Sequence, residues 1–240
     1  MHARNALLLL PLLLAAAPSA PSFSAPTAIT NPWAPFVPGA MKAFRGHADG
    51  ARLLHVESYL SDTRSFDWNG GAVLTRVLEE RDFVAGALSE LSWSYLAQDD
   101  AGNVQLFGEV SWSCVNGQPT TAEEDSWLVG GAKLPGDPPA AHDVTAPAMF
   151  MLAAPKAGDS FSQPAWPSGL ETTIVQAAGL VMKVPSGTYT QVLKLQELDD
   201  GEDGGKPQHE WIAPGIGIVR HEGGHEKSEL FATSLVEAAP

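Results

Sequence analysis

Leu91-Ser92-Trp93-Ser94-Tyr95-Leu96-Ala97-Gln98 decides the fold. Leu91, Trp93, Tyr95 and Ala97 alternate with Ser92, Ser94 and Gln98, the period-two pattern of a strand with unlike faces. Asp99-Asp100-Ala101-Gly102-Asn103 follows, and its Asp, Gly and Asn residues suit a tight turn. The chain then returns through Val104 to Cys114, so the spacing predicts a hairpin. On the returning strand Val104, Leu106, Val110, Trp112 and Cys114 share one parity and are expected on one face. This places Cys114, the only cysteine, as a buried structural thiol. With one cysteine no intrachain disulfide is possible, and stability has to come from packing.

Similar signals lie on either side. Leu54, Val56 and Leu60 alternate with polar positions upstream. Asn116-Gly117 is a second hairpin signal, because both residues tolerate the positive φ of a type I′ turn. Thr173 to Val184 and Tyr189 to Leu198 flank Pro185-Ser186-Gly187, again strand, turn and strand. Arg81 to Glu90 reads as a short helix, weakened by Gly86. Residues 134–147, LPGDPPAAHDVTAP, hold four prolines and read as loop, since proline cannot donate to a strand ladder. No repeat appears at solenoid or propeller spacing. The chain is therefore expected to be mainly β, a single antiparallel, strongly curved sheet or an open barrel or sandwich with little helix. Strands on both sides of the loop favour one β-rich domain over residues 26–240.

Residues 1–25 read as a signal peptide. Arg4 supplies the positive start, Ala6 to Ala17 form a short apolar stretch, and small residues place cleavage between Ala17 and Ala25. The stretch is shorter than the ~20 residues a membrane-spanning helix needs. The mature protein is expected to be exported, periplasmic or extracellular, with no transmembrane segment after signal removal. Formal charge is −14 from 14 basic and 28 acidic residues, and becomes −15 when Arg4 leaves. That surface repels phosphate backbones, so no nucleic-acid partner is expected.

Two motifs invite a chemical reading. His221-Glu222-Gly223-Gly224-His225 spells HExxH, in which two histidines on one helical face bind zinc and the glutamate activates water. Each glycine costs about 1 kcal/mol in a helix against alanine, and the flanks alternate as strands. A hairpin would set Arg220 opposite Glu229 and Glu222 opposite Lys227, two favourable charge pairs. Asp199-Asp200-Gly201-Glu202-Asp203-Gly204 resembles a calcium loop, with Asp199, Asp203 and Glu210 at EF-hand positions one, five and twelve. Gly201 takes the third position, where an oxygen ligand belongs, and the preceding residues read as strand, not helix. No catalytic set, cofactor or metal is assigned on these grounds, and the low-ranking metal candidates are His221, Glu222 and His225, and Asp199, Asp203 and Glu210. There is no G-x-S-x-G elbow and no phosphate-cradling glycine loop. Pro32, Pro35 and Pro38 recur every third residue, which suits polyproline II in a rigid lead-in to the fold. Trp33, Trp68, Trp127, Trp166 and Trp211 are core or sugar-stacking candidates, core being the commoner fate.

Several phrases recur in an order that resembles a family of exported bacterial proteins of unknown function. They are Asn31-Pro32-Trp33 with Phe36 and Pro38-Gly39, Tyr95 to Asp99 with Gly102-Asn103-Val104, Phe107-Gly108-Glu109, Val184 to Gly187, and Trp211 to Gly217. The resemblance implies curved antiparallel sheets and brings no activity or catalytic residues. The function expected is that of a non-enzymatic exported β domain binding a protein partner or an apolar ligand. The alternatives are an HExxH-type metal-dependent hydrolase and a calcium-binding structural or cell-surface component.

Overall fold

Two-residue turns set the architecture. At Asp49-Gly50, Asn69-Gly70 and Asn116-Gly117 both residues have positive φ (50° and 79°, 51° and 77°, 52° and 73°), the geometry whose twist matches paired strands. Ala85-Gly86 does the same at 52° and 87°. These turns join β1 (Met41–Ala48), β2 (Ala51–Trp68), β3 (Gly71–Val84) and β4 (Ala87–Gln98) in succession, and β5 (Val104–Val115) to β6 (Gln118–Ala122). The helix expected at 81–90 is instead the β3–β4 hairpin. The charged run Glu79-Glu80-Arg81-Asp82 is a strand with polar side chains on both faces, which hides its period.

The structure, a computed structural model, describes residues 20–123, 125–165, 169–199 and 207–236. The remaining strands are β7 (Trp127–Val129), β8 (His142–Val144), β9 (Ala148–Met151), β10 (Ser160–Ala165), β11 (Gly169–Val184), β12 (Gly187–Asp199), β13 (Gln208–Ala213), β14 (Gly217–Gly223) and β15 (Glu226–Thr233). All fifteen form one sheet in the order β10 to β15, then β1 to β5, β7 and β8, with β6 and β9 also paired to β5. There is no helix among the described residues. Every pairing is antiparallel except β7 with β8. Strands before and after residues 134–147 share this sheet, and the three-residue β8 inside that loop lies at its end. β9 lies against β10, so the sheet curls toward itself, and among the described residues no ladder closes it into a barrel.

The predicted β4–β5 hairpin forms as read. Asp99 Oδ1 accepts the Ala101 and Asn103 backbone N–H groups at 3.0 and 2.9 Å, the local turn that aspartate favours. Its Oδ2 accepts from Asn103 Nδ2 and Gln105 Nε2. One expectation fails on β5. Leu106 pairs with Leu96 and Glu109 with Ser94, so a bulge separates them and shifts the parity. Leu106 and Glu109 consequently share a face, and Val110, Trp112 and Cys114 do not lie on the face of Leu106. Cys114 is partly exposed, not buried, with Sγ 3.7 Å from the Trp112 carbonyl.

The segment of spaced prolines ties the two halves of the curl together. Asn31 Nδ2 donates to the carbonyls of Gly102 and Leu152, both at 3.0 Å. Gln98 Oε1 accepts the N–H groups of Thr30 and Asn31 at 2.8 Å. On the other side Gly215 N–H donates to the Pro32 carbonyl at 2.6 Å. Gly217 lies beside this segment with φ +78°, a conformation that side chains with a Cβ rarely adopt, and it is this backbone and not lack of space that favours glycine here.

Candidate binding cavity

Adjacent residues of a strand face opposite ways, and on β2–β5 the two faces differ in chemistry. One is aromatic. Phe66 meets Tyr95 and Phe107 with ring centres 5.4 and 5.6 Å apart, and Phe23 of the N-terminal segment packs on Phe107 and Trp68. Arg64 lies over Phe66 and Tyr95 at 4.6 and 4.7 Å. Its guanidinium donates to both carboxylate oxygens of Asp137 at 2.6 and 2.9 Å. Asp137 also accepts the N–H groups of Lys133 and Leu134, so this pair anchors the proline-rich loop. These donors hold the Asp137 carboxyl below its usual range against the opposing effect of burial.

The other face bounds a cavity of about 220 Å³ inside the curl. Its floor carries Tyr59, Leu78, Leu96 and Leu106, its far wall Leu195, Ile212 and Ile218, and Trp33, Phe150 and Phe161 complete the apolar lining. The same space is bounded by six glutamates and one lysine: Lys42, Glu57, Glu80 and Glu109 from β1, β2, β3 and β5, and Glu171, Glu197 and Glu210 from β11, β12 and β13. Register brings them together. Lys42 is opposite Glu57, Glu57 opposite Glu80, and Ser94 opposite Glu109. Across the curl Glu210 is opposite His221.

Only some of these charges are matched. Lys42, 2% exposed, donates from Nζ to Glu57 Oε1 at 2.8 Å, and the Tyr59 hydroxyl donates to Glu57 Oε2 at 2.8 Å. His55 Nδ1 is 2.7 Å from Asp82, and its Nε2 is 3.7 Å from Glu80. Burial alone would lower the His55 pKa, but the Asp82 hydrogen bond and the charges of Glu80, Asp82 and Glu57 raise it to about 9. Glu80 is pushed up to about 7, chiefly by burial, with His55 opposing and Glu57 and Asp82 adding. Burial and the charges of Glu80, Asp125, Glu171 and Glu90 lift Glu109 to about 8. Burial and the charges of Glu210, Glu171 and Glu109 put Glu197 well above the usual range.

His55, Glu57 and Glu80 place ligand atoms within 4.8 Å of one another, the one such metal-capable group among the described residues. Both Glu57 oxygens are already taken by Lys42 and Tyr59, and the Lys42 ammonium stands where a metal would draw its charge. None of the candidates read from the sequence belongs to this group. The β14–β15 hairpin has the predicted register, with Arg220 opposite Glu229 and Glu222 opposite Lys227, and turns at Gly224-His225. His221 faces the interior, 3.9 Å from Glu210. Glu222 pairs with Arg220, and His225 sits 64% exposed at the tip, 3.9 Å from Asp49. The HExxH residues therefore share no ligand-bearing face. Of the calcium candidates, Asp199 ends β12, Asp203 lies outside the described residues, and Glu210 lines the cavity. Trp127 is core, Trp33 lines the cavity, and Trp211 lies between Arg220 and Lys194. Trp166 is outside the described residues.

Sequence reasoning missed Lys42, His55, Glu57, Glu80, Glu109 and Glu197 as site residues. The available signal was charge at inward positions of strands, where a soluble fold normally places apolar groups.

No family model and no curated protein matches the chain. Two solved structures resemble it. One is a protein from Bacteroides fragilis described as exported and as having a YmcC-like fold, 13% identical, with TM-score 0.43 over 90% of this chain and 100% of that one. Another is a protein from Parabacteroides distasonis described as a lipoprotein, 12% identical, with TM-score 0.32 over 84% of this chain and 98% of that one. No helix of the described residues is long and apolar enough to cross a membrane, which says nothing of strands.

Proposed function

We propose that the protein is an exported, non-enzymatic β domain that binds a small ligand with an apolar body inside its curled sheet. The cavity is the observation that carries this reading. Its 220 Å³ exceeds the ~150 Å³ that suffices to hold a benzene ring, and it mixes aromatic walls with a few convergent polar groups, as ligand sites do. Export rests on Arg4 and the apolar run Ala6 to Ala17, read from sequence. The HExxH hydrolase alternative gains nothing from the geometry, because His221 and His225 point to different environments. Small aromatic probes should perturb the NMR signals of Leu106 and Ile218 methyl groups in the wild-type protein. Ile218→Trp, which fills the cavity, should abolish that response while leaving the melting temperature within a few degrees. Shifts confined to surface residues, or an unchanged response in the filled variant, would defeat the reading.

A further inference from the structure

Resting on the cavity reading above, we infer that the ligand carries a positive charge: a small organic ammonium whose apolar body lies against the aromatic wall. The starting observation is an imbalance. Lys42 is used by Glu57, His55 by Asp82 and Glu80, and His221 by Glu210. Glu109 and Glu197, which approach from opposite walls, have no hydrogen-bond or ion-pair partner among the described residues, and the groups that act on them are carboxylates. Both face the cavity. Both are partly buried, and a partly desolvated carboxylate without a partner either takes up a proton or gains from meeting a cation, because lost solvent penalises its charge.

The shape of the site favours an organic cation over a metal. A divalent ion needs three or more oxygen or nitrogen atoms converging on one point. Among the described residues that convergence occurs at His55, Glu57 and Glu80 and excludes Glu109 and Glu197. At that point Glu57 is already held by Lys42 and Tyr59, each at 2.8 Å. An ammonium asks for less. It donates N–H groups to one carboxylate at a time, and two carboxylates on facing walls suit it. Trp33, Phe150 and Phe161 offer apolar surface and ring faces, which attract a desolvated cation. An anion would meet Glu109 and Glu197, which have no counter-charge beside them among the described residues.

Calorimetric titration with three molecules of matched shape tests this: 2-phenylethylamine, 2-phenylethanol and 3-phenylpropanoate, at pH 8 and low salt. The amine should bind roughly tenfold or more tightly than the alcohol, the size of effect a buried charge-assisted hydrogen bond supports, and the carboxylate should not bind. Glu109→Gln and Glu197→Gln should each weaken the amine about tenfold and leave the alcohol within about twofold. The wild-type comparison decides the matter even where a variant folds poorly. Equal binding of amine and alcohol would overturn the charge inference and leave the cavity reading standing. No binding of any of the three would overturn both. Displacement of the amine by equimolar calcium or zinc chloride, lost in Glu109→Gln, would overturn the organic cation in favour of a metal.

Discussion

The two faces of β2–β5 solve the problem of buried charge in different ways. On the aromatic face, Arg64 and Asp137 meet in a two-pronged pair with further backbone donors to the carboxylate. On the cavity face, Glu109 meets burial and the charges of Glu80, Asp125, Glu171 and Glu90. Across the cavity, Glu197 of β12 meets burial and the charges of Glu210, Glu171 and Glu109. The first arrangement matches charge with charge and ties the proline-rich loop to the sheet, although Arg64 Nε has no hydrogen-bond partner among the described residues. The second leaves Glu109 and Glu197 facing the cavity without a counter-charge among the described residues. Burial of charge is thus informative only with its partner list beside it.

Removing one partner of the Arg64–Asp137 pair should have the largest effect. Arg64→Ala leaves Asp137 without its counter-charge where the two side chains are 8% and 6% exposed, and should cost about 3 kcal/mol, or roughly 10 °C in Tm for a chain of this size. Thermal melting monitored by circular dichroism checks this. A loss under about 2 °C would mean that the aromatic face holds without the ion pair.

The cavity face should announce itself through pH. Glu80 and Glu109, at about 7 and 8 in the fold against 4.5 as a usual value, are carboxyls with raised pKa. Their contribution to stability is full below pH 4.5 and lost as pH rises through 7 to 8. His55, raised from 6.5 to about 9, contributes stability that is full below pH 6.5 and lost as pH rises through 9. The signs agree, so Tm should fall by on the order of 5–10 °C between pH 5.5 and pH 9 in the free protein. A Tm that rises over that window would contradict the electrostatics described. Glu109→Gln should raise Tm by a few degrees at pH 9 and change it little at pH 5, where the wild-type carboxyl is already protonated. Equal shifts at both pH values would point to packing instead of charge.

Much of the fold was legible. The alternation of Leu91 to Gln98, the Asp99–Asn103 turn and Asn116-Gly117 follow from side-chain period and turn chemistry, and the structure carries all three. The Arg220/Glu229 and Glu222/Lys227 register was readable because opposite charges on facing strands favour one alignment. The Arg81–Glu90 stretch was not, since Ala85 takes a positive φ that alanine does not advertise and Glu80 and Asp82 face inward. The bulge beside Gly108 was equally hidden, and with it the inward turn of Glu109. The candidate site was almost illegible for one reason: its residues lie on strands far apart in sequence and each looks like ordinary surface charge until register joins them.

At the other extreme stands the hairpin tip. His225→Ala should change Tm by less than about 1 °C and leave amine binding unaltered, because His225 is 64% exposed with one partner at 3.9 Å. A larger loss, or a tightly held zinc that disappears with the substitution, would restore the HExxH reading.

The contrast between the two faces can be measured on the carboxyl groups themselves. Side-chain 13C NMR of glutamate-labelled protein, titrated from pH 4 to 10, should show Glu109 changing protonation near pH 8. With saturating 2-phenylethylamine the same resonance should titrate well below that value, as a carboxylate paired with a cation does. A Glu109 that titrates near 4.5 in the free protein, unmoved by the amine, would contradict the account of a cavity carboxyl without a counter-charge.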